Sequence, residues 1–161
     1  MSISTHIAKH FREVYFGGNW TSSNLQDQLA GLTWQQAVTP VHSLNSIASL
    51  VYHLGYYVSA VGKVLQREPL NASDKYSFDL PSIQSQEDWE KLLNKTWNDA
   101  REFANLVEQL PENKLWDDFH EDKYGNYYRN LQGIIEHIHY HLGQIVIIKK
   151  IILQTANKEG F

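Results

Sequence analysis

The chain has 161 residues, 42% of them hydrophobic, a formal net charge of -4 and no cysteine. That length suits one domain with a single substantial core, and the acidic balance, with no lysine- or arginine-rich run, excludes general attraction to phosphate backbones or anionic lipid. The absence of cysteine excludes disulfides, thiolate nucleophiles and cysteine zinc sites, so any metal must rest on nitrogen and oxygen ligands.

The first residues, MSISTHIAKHFREVYF, lack the basic start, long apolar centre and small-residue cleavage site of a secretory signal. No run of about 18 apolar residues follows anywhere that could span a bilayer. A cytoplasmic protein with no membrane or nucleic-acid partner is the expectation. Ile3, Ile7, Phe11 and Val14 recur on one helical face, and Gly17-Gly18 closes that run, which predicts a first helix. It carries His6 and His10, a pair that competes for any metal. His10 lies at the edge of the apolar stripe and His6 farther out, so one packed and one solvated histidine are expected.

Between Asn19 and Pro40 short apolar pieces alternate with Thr21-Ser22-Ser23 and Gly31, the pattern of one or two short helices and a turn. A second long helix is predicted from Ser46 to Leu65, capped by Asn45, with Ile47, Leu50, Leu54, Tyr57, Val61 and Val64 on its apolar arc. His53 falls just inside that arc at mid-length. Its alternatives are metal ligation or a hydrogen bond to a neighbouring tyrosine, and Tyr52, Tyr56 and Tyr57 are all near in sequence.

Arg67 to Gln84, with two prolines and no sustained period, reads as a long surface connection, and such loops in small domains are often functional. Its aromatic residues Tyr76 and Phe78 are suited to cover a site mouth. Ser85 and Asp88 then form a capping box for a third helix that ends at Pro111, with Trp89, Leu92, Leu93, Trp97, Phe103, Leu106 and Leu110 at core spacing. Leu115 to Asn130 mixes aromatics and acids around Tyr124-Gly125-Asn126, which suggests a small hairpin. Asn130 is the expected cap of the last helix.

That last helix contains GIIEHIHYHLGQIVII, Gly133 to Ile148. At about 100° per residue, His137 and His141 share one face with Ile134, Ile145, Ile148 and Ile152, whereas His139 points nearly the opposite way. Burying an imidazole nitrogen without a partner costs about 1 to 3 kcal/mol, and a divalent ion would satisfy both rings. The alternative is that each ring bonds to a carbonyl, carboxylate or water. If the second and fourth long helices are neighbours at matching depth, His53 completes a three-histidine set with open coordination positions, whereas a purely structural zinc would want four protein ligands. Gln144 and Tyr57, each about one turn beyond a histidine, are candidates to accept the other ring N–H. Glu136 sits off the core arc, and no carboxylate is evidently placed to act as a base. Val146, Ile147 and Ile151 face away from the core, which predicts a homodimer interface.

Four long amphipathic segments without a strand pattern imply an all-α four-helix bundle over residues 1–161. At this level the resemblance becomes specific. NSIASLVYHLGYY, Asn45 to Tyr57, followed by GIIEHIHYHLGQI, Gly133 to Ile145, resembles the DinB-like superfamily, also called the YfiT-like metal-dependent hydrolases, and FREVYFGGNWTSSNL, Phe11 to Leu25, is similar to a subgroup of it. The resemblance implies a commonly dimeric four-helix bundle with unusual connectivity and a three-histidine site for a divalent metal such as nickel or zinc; the ligands themselves leave the metal open, with iron or manganese as further options. By motif position the ligands are His53, His137 and His141, and His139 is not a ligand position. Many members carry arginine after the last histidine where this chain has Leu142. Members with known activity are largely thiol-dependent transferases or isomerases. The expectation is a metal-dependent hydrolase or thiol-dependent transferase acting on a small molecule; the alternative is a non-catalytic dimeric bundle that binds a small ligand or a protein partner.

Overall fold

A computed structural model describes residues 1–158; residues 159–161, with which the predicted domain ends, lie outside the described residues. Among the described residues the protein is all-helical, with no strand. Helix α1 (Ile3–Phe16) is followed by the short α2 (Leu25–Leu29) and α3 (Trp34–Val38), then by α4 (Ile47–Leu65), α5 (Gln86–Gln109) and α6 (Tyr127–Lys158). The four long helices pack side by side: α1 lies against α5 and α6, and α4 lies against the same two. Helix α4 is therefore a direct neighbour of α6, the condition on which a shared histidine site depends. No helix among the described residues is long and apolar enough to cross a membrane.

Each helix begins where a short polar side chain takes over an orphan backbone N–H. Ser2 accepts from Thr5 N in α1, Ser46 from Ser49 N in α4, and Ser85 from Asp88 N in α5. The α4 cap is thus Ser46, not Asn45. At α5 the expected box is displaced by one residue, because the Asp88 carboxylate accepts from Gln84 N at 3.1 Å. The last helix starts earlier than the sequence suggested. Asn126 accepts from Arg129 N at 2.9 Å, and Asn130 lies inside the first turn, where its amide donates to the Tyr124 and Asn126 carbonyls. Gly17 ends α1 at φ 107°, a conformation that side-chain-bearing residues rarely adopt.

The apolar arcs meet in one cluster. Phe11 and Tyr15 of α1 pack on Phe103 and Trp97 of α5, Leu50 and Leu54 lie on the core face of α4, and Ile135, Ile138 and Ile145 on that of α6. The buried face of α5 is not the one its leucines suggested. Trp89 and Phe103 are buried with the smaller Thr96, Ala100, Ala104 and Val107, whereas Leu92, Leu93, Trp97, Leu106 and Leu110 are half-buried. Small residues at the centre let α5 approach two neighbours closely, and the larger ones cover the flanks.

The predicted hairpin before α6 does not form. Two 3-10 turns form there, Glu112–Trp116 and Asp122–Tyr124, and a single antiparallel bridge between Asp118 and Asn126 flanks the second. The 3-10 turn at Asp122 uses the residues that a second strand pair would need, and Leu115 and Phe119 are buried. The connection from Gln66 to Ser85 contains one further turn, Asp74–Tyr76, and crosses α4 at the level of His53.

Candidate metal centre

His53 stands at mid-length on α4, and α6 presents His137 and His141 one turn apart. The Nε2 atoms of all three point at one another: His137 Nε2 is 3.1 Å from that of His53 and 2.9 Å from that of His141. Residues 84 positions apart meet here, and the three ligand nitrogens lie within 4.8 Å of one another. No other group of three potential ligands occurs among the described residues. His53 and His141 are each 7% exposed, and His137 is half-buried.

Protons alone fit this arrangement poorly. His141 Nδ1 lies 2.8 Å from Gln144 Oε1; an amide oxygen only accepts, so the ring carries its proton on Nδ1 and leaves Nε2 with a lone pair. His137 can then donate its Nε2 proton to His141, but it has no lone pair left for His53. With Nε2 unprotonated it could accept from His53, but it would then face the His141 lone pair. One of the two contacts lacks a hydrogen bond in either tautomer. A cation satisfies all three lone pairs together. Metal–imidazole bonds of about 2.0 to 2.1 Å put ligand nitrogens about 3 Å apart at ordinary coordination angles, and the two separations made by His137 fit.

Electrostatics favours the same state. Burial, with the neighbouring His141 and His53 charges, lowers the pKa of His137 from 6.5 to about 4. Burial also lowers those of His53 and His141; at His53 the effect of His141 adds, while the Ser77 main chain and Asp74 oppose it. Neutral imidazoles are the ligand form. Because the folded pKa values lie below the unfolded value, the unfolded chain binds more protons in this window. The metal-free protein is therefore expected to lose stability as the pH falls from 6.5 towards 4, as measured by urea unfolding with chelator present. Unchanged midpoints across that range would contradict a buried neutral cluster.

The surroundings divide into a hydrogen-bonded back and an open front. At the back, Gln144 fixes His141, and Tyr140 packs edge-on at 4.9 Å. At the front, a pocket of about 530 Å³ is lined by His53, His137, Tyr57, Asp74, Ser77 and Phe78, with Ile134. Phe78 stacks on the His53 ring at 4.0 Å and 11°. Of the two aromatics expected over the mouth, Phe78 takes that place with its outer face still exposed, and Tyr76 does not line the pocket. Tyr57 is not a partner of either ring nitrogen. It packs edge-on against His53 and His137, at 5.1 and 5.2 Å, and its hydroxyl donates to Asp74.

Asp74 corrects the expectation that no carboxylate is suitably placed. It lines the mouth beside His53 and His137, carried there by the 3-10 turn that Tyr57 tethers. No helical period announces it, because it lies in the segment without one; the only sequence signal was that the connection is long. His6 and His10 form no site: both are exposed, contrary to the expected packed member. His10 instead meets His139 across the α1–α6 contact at 5.9 Å. Glu136 is exposed, as its position off the core arc implied.

Replacing Gln144 with leucine removes the acceptor that sets the His141 tautomer. The expected result is a metal affinity about 10- to 100-fold weaker, read by competition with a chromogenic chelator. Unchanged affinity would assign Gln144 to the surface alone. Comparison with protein-family models, curated proteins and solved structures finds no match to this chain.

Proposed function

We propose that the protein is a divalent-metal-dependent enzyme of DinB-like four-helix-bundle type, with His53, His137 and His141 holding one ion that has open coordination positions. The observation that carries this reading is the convergence of three Nε2 atoms for which no single tautomer assignment supplies both contacts. The donor set, three imidazoles without thiolate, suits nickel or zinc and also accepts iron or manganese. A bound ion would supply Lewis acidity, polarising an electrophile and acidifying water or a thiol.

The remaining roles belong to the chain itself. Asp74 Oδ1, held by the Tyr57 hydroxyl, is placed to accept a proton from a nucleophile arriving through the mouth. Phe78 and Tyr57 narrow the approach and limit water around His53 and His137. Hydrolysis of a small electrophile is better supported than thiol transfer. A base stands at the mouth, whereas Leu142, at the position where many DinB-like proteins have arginine, is buried in the core.

Protein purified without an affinity tag should contain one divalent ion per chain, and hydrolysis of ester or amide substrates should stop on chelation. In Asp74→Asn the metal content should stay level while kcat falls about 10²- to 10⁴-fold. Metal well below one per chain, or turnover indifferent to chelator, would overturn the proposal.

A second reading, a dimer that binds without catalysis, draws on the exposed Tyr140 and Ile147 of α6. The homodimer itself is compatible with either function. Light scattering after size exclusion that reports a monomer at micromolar concentration would remove the dimer from both.

A further inference from the structure

A second cavity, also of about 530 Å³, adjoins the histidine mouth, and Tyr57, Asp74 and Ile134 line both. Helical register explains why. On α4 the stripe that carries His53 and Tyr57 reaches Ala60 and Val61 one turn further on, and on α6 Gly133 and Asn130 lie one and two turns before His137. The seam between the two helices therefore runs on past the ligand histidines, and from His53 to Val61 it covers about 12 Å at 1.5 Å per residue. A cavity of this volume suits a small molecule, for which sites span about 300 to 1,000 Å³.

Its lining sorts by depth. The buried members, Ala60, Val61, Phe119 and Ile134, are all apolar, whereas the charged ones, Asp74, Arg129 and Glu136, are exposed. Two carboxylates and one guanidinium, all in water, give little reason to prefer a charged ligand. The half-buried Tyr57 and Asn130 spend their donors within the protein: the hydroxyl goes to Asp74, and the amide to the Tyr124 and Asn126 carbonyls. A polar chain laid along this floor would give up water without replacement hydrogen bonds, while an apolar chain gains from the same burial. Gly133 leaves the room, since a Cβ there meets nothing within 4 Å.

We infer that this cleft receives an uncharged apolar arm of the substrate, so that the preferred substrates are esters or amides with an alkyl or aryl chain running from the metal centre along the α4–α6 seam. The inference rests on the metal-dependent reading above and adds the substrate class to it.

Alkyl hydroxamates, which chelate a metal through one end, serve as probes for titration calorimetry on the zinc-loaded protein. Octanohydroxamate should bind about 50-fold or more tightly than acetohydroxamate, the factor expected when its added methylenes are about half withdrawn from water. A hydroxamate with an oligoether arm of the same length should stay within about fivefold of acetohydroxamate. Gly133→Leu fills the cleft from α6, and Ala72→Leu fills it from the connecting segment, where Ala72 is an exposed wall. In each variant the preference for the longer alkyl chain should fall below about tenfold while one zinc per chain is kept. Equal affinity for the two alkyl probes, an oligoether arm that binds as tightly as the alkyl one, or undiminished preference in either zinc-loaded variant would overturn the cleft and leave the metal centre standing. Failure of the parent protein to hold zinc, or of acetohydroxamate to bind once zinc is held, would overturn the metal-dependent reading and this assignment with it.

Discussion

His137→Ala should empty the metal centre while leaving the fold intact. His137 is the member shared by both Nε2 contacts, 3.1 Å to His53 and 2.9 Å to His141, so its loss separates the other two as well as removing a ligand. Structural zinc sites with four ligands bind with about 10 to 16 kcal/mol. Spread evenly over four ligands, that is about 2.5 to 4 kcal/mol each, or about 10²- to 10³-fold in affinity. Metal analysis of the variant should therefore fall from one ion per chain to background at micromolar protein. The metal-free variant should match or exceed the metal-free parent in stability, since it loses a half-buried imidazole that makes no sound hydrogen bond with both neighbours. In the parent, metal affinity should resist acid better than a free imidazole would. A ring with a pKa of 6.5 begins to lose its ligand form near pH 6.5, whereas His137 keeps it down to about 4. Retention of a full ion by His137→Ala would show that the three rings are not the ligand set.

Phe11→Ala should do the reverse and destabilise the fold without touching a ligand. Phe11 has no solvent exposure and packs at a tilt against Tyr15 of its own helix at 4.8 Å and Phe103 of α5 at 4.6 Å. Removal of a buried phenyl ring costs about 3 to 5 kcal/mol through lost transfer energy and the cavity left behind. Against a total stability of about 5 to 15 kcal/mol, that is a large fraction. Chemical denaturation should show the midpoint move down with a similar slope. A change below about 1 kcal/mol would mean that α1 and α5 repack around the void. Trp89→Phe makes a useful contrast on α5. Trp89 is fully buried with an unpartnered Nε1, so its replacement trades lost area against relief of an unsatisfied donor and should cost less than Phe11→Ala.

Periodicity alone located the long helices to within a few residues and placed His137 and His141 on one face, because a 3.6-residue repeat relates side chains through the backbone that joins them. Pairing those two with His53 was legible only as a condition, that the second and fourth long helices be neighbours at matching depth, and the packing of α4 against α6 supplied it. The caps were harder. Asn45 and Ser46, or Asn126 and Asn130, are equivalent by composition, and the path of the chain into the helix chooses between them. The missing hairpin has the same origin, as a 3-10 turn and a strand turn draw on the same Asp, Gly and Asn residues. What only the tertiary structure decided is what faces the site from irregular chain. Asp74 and Phe78 reach it because Tyr56 and Tyr57 tether the connection across α4, and a segment without a repeat carries no record in its sequence of the side on which it lies.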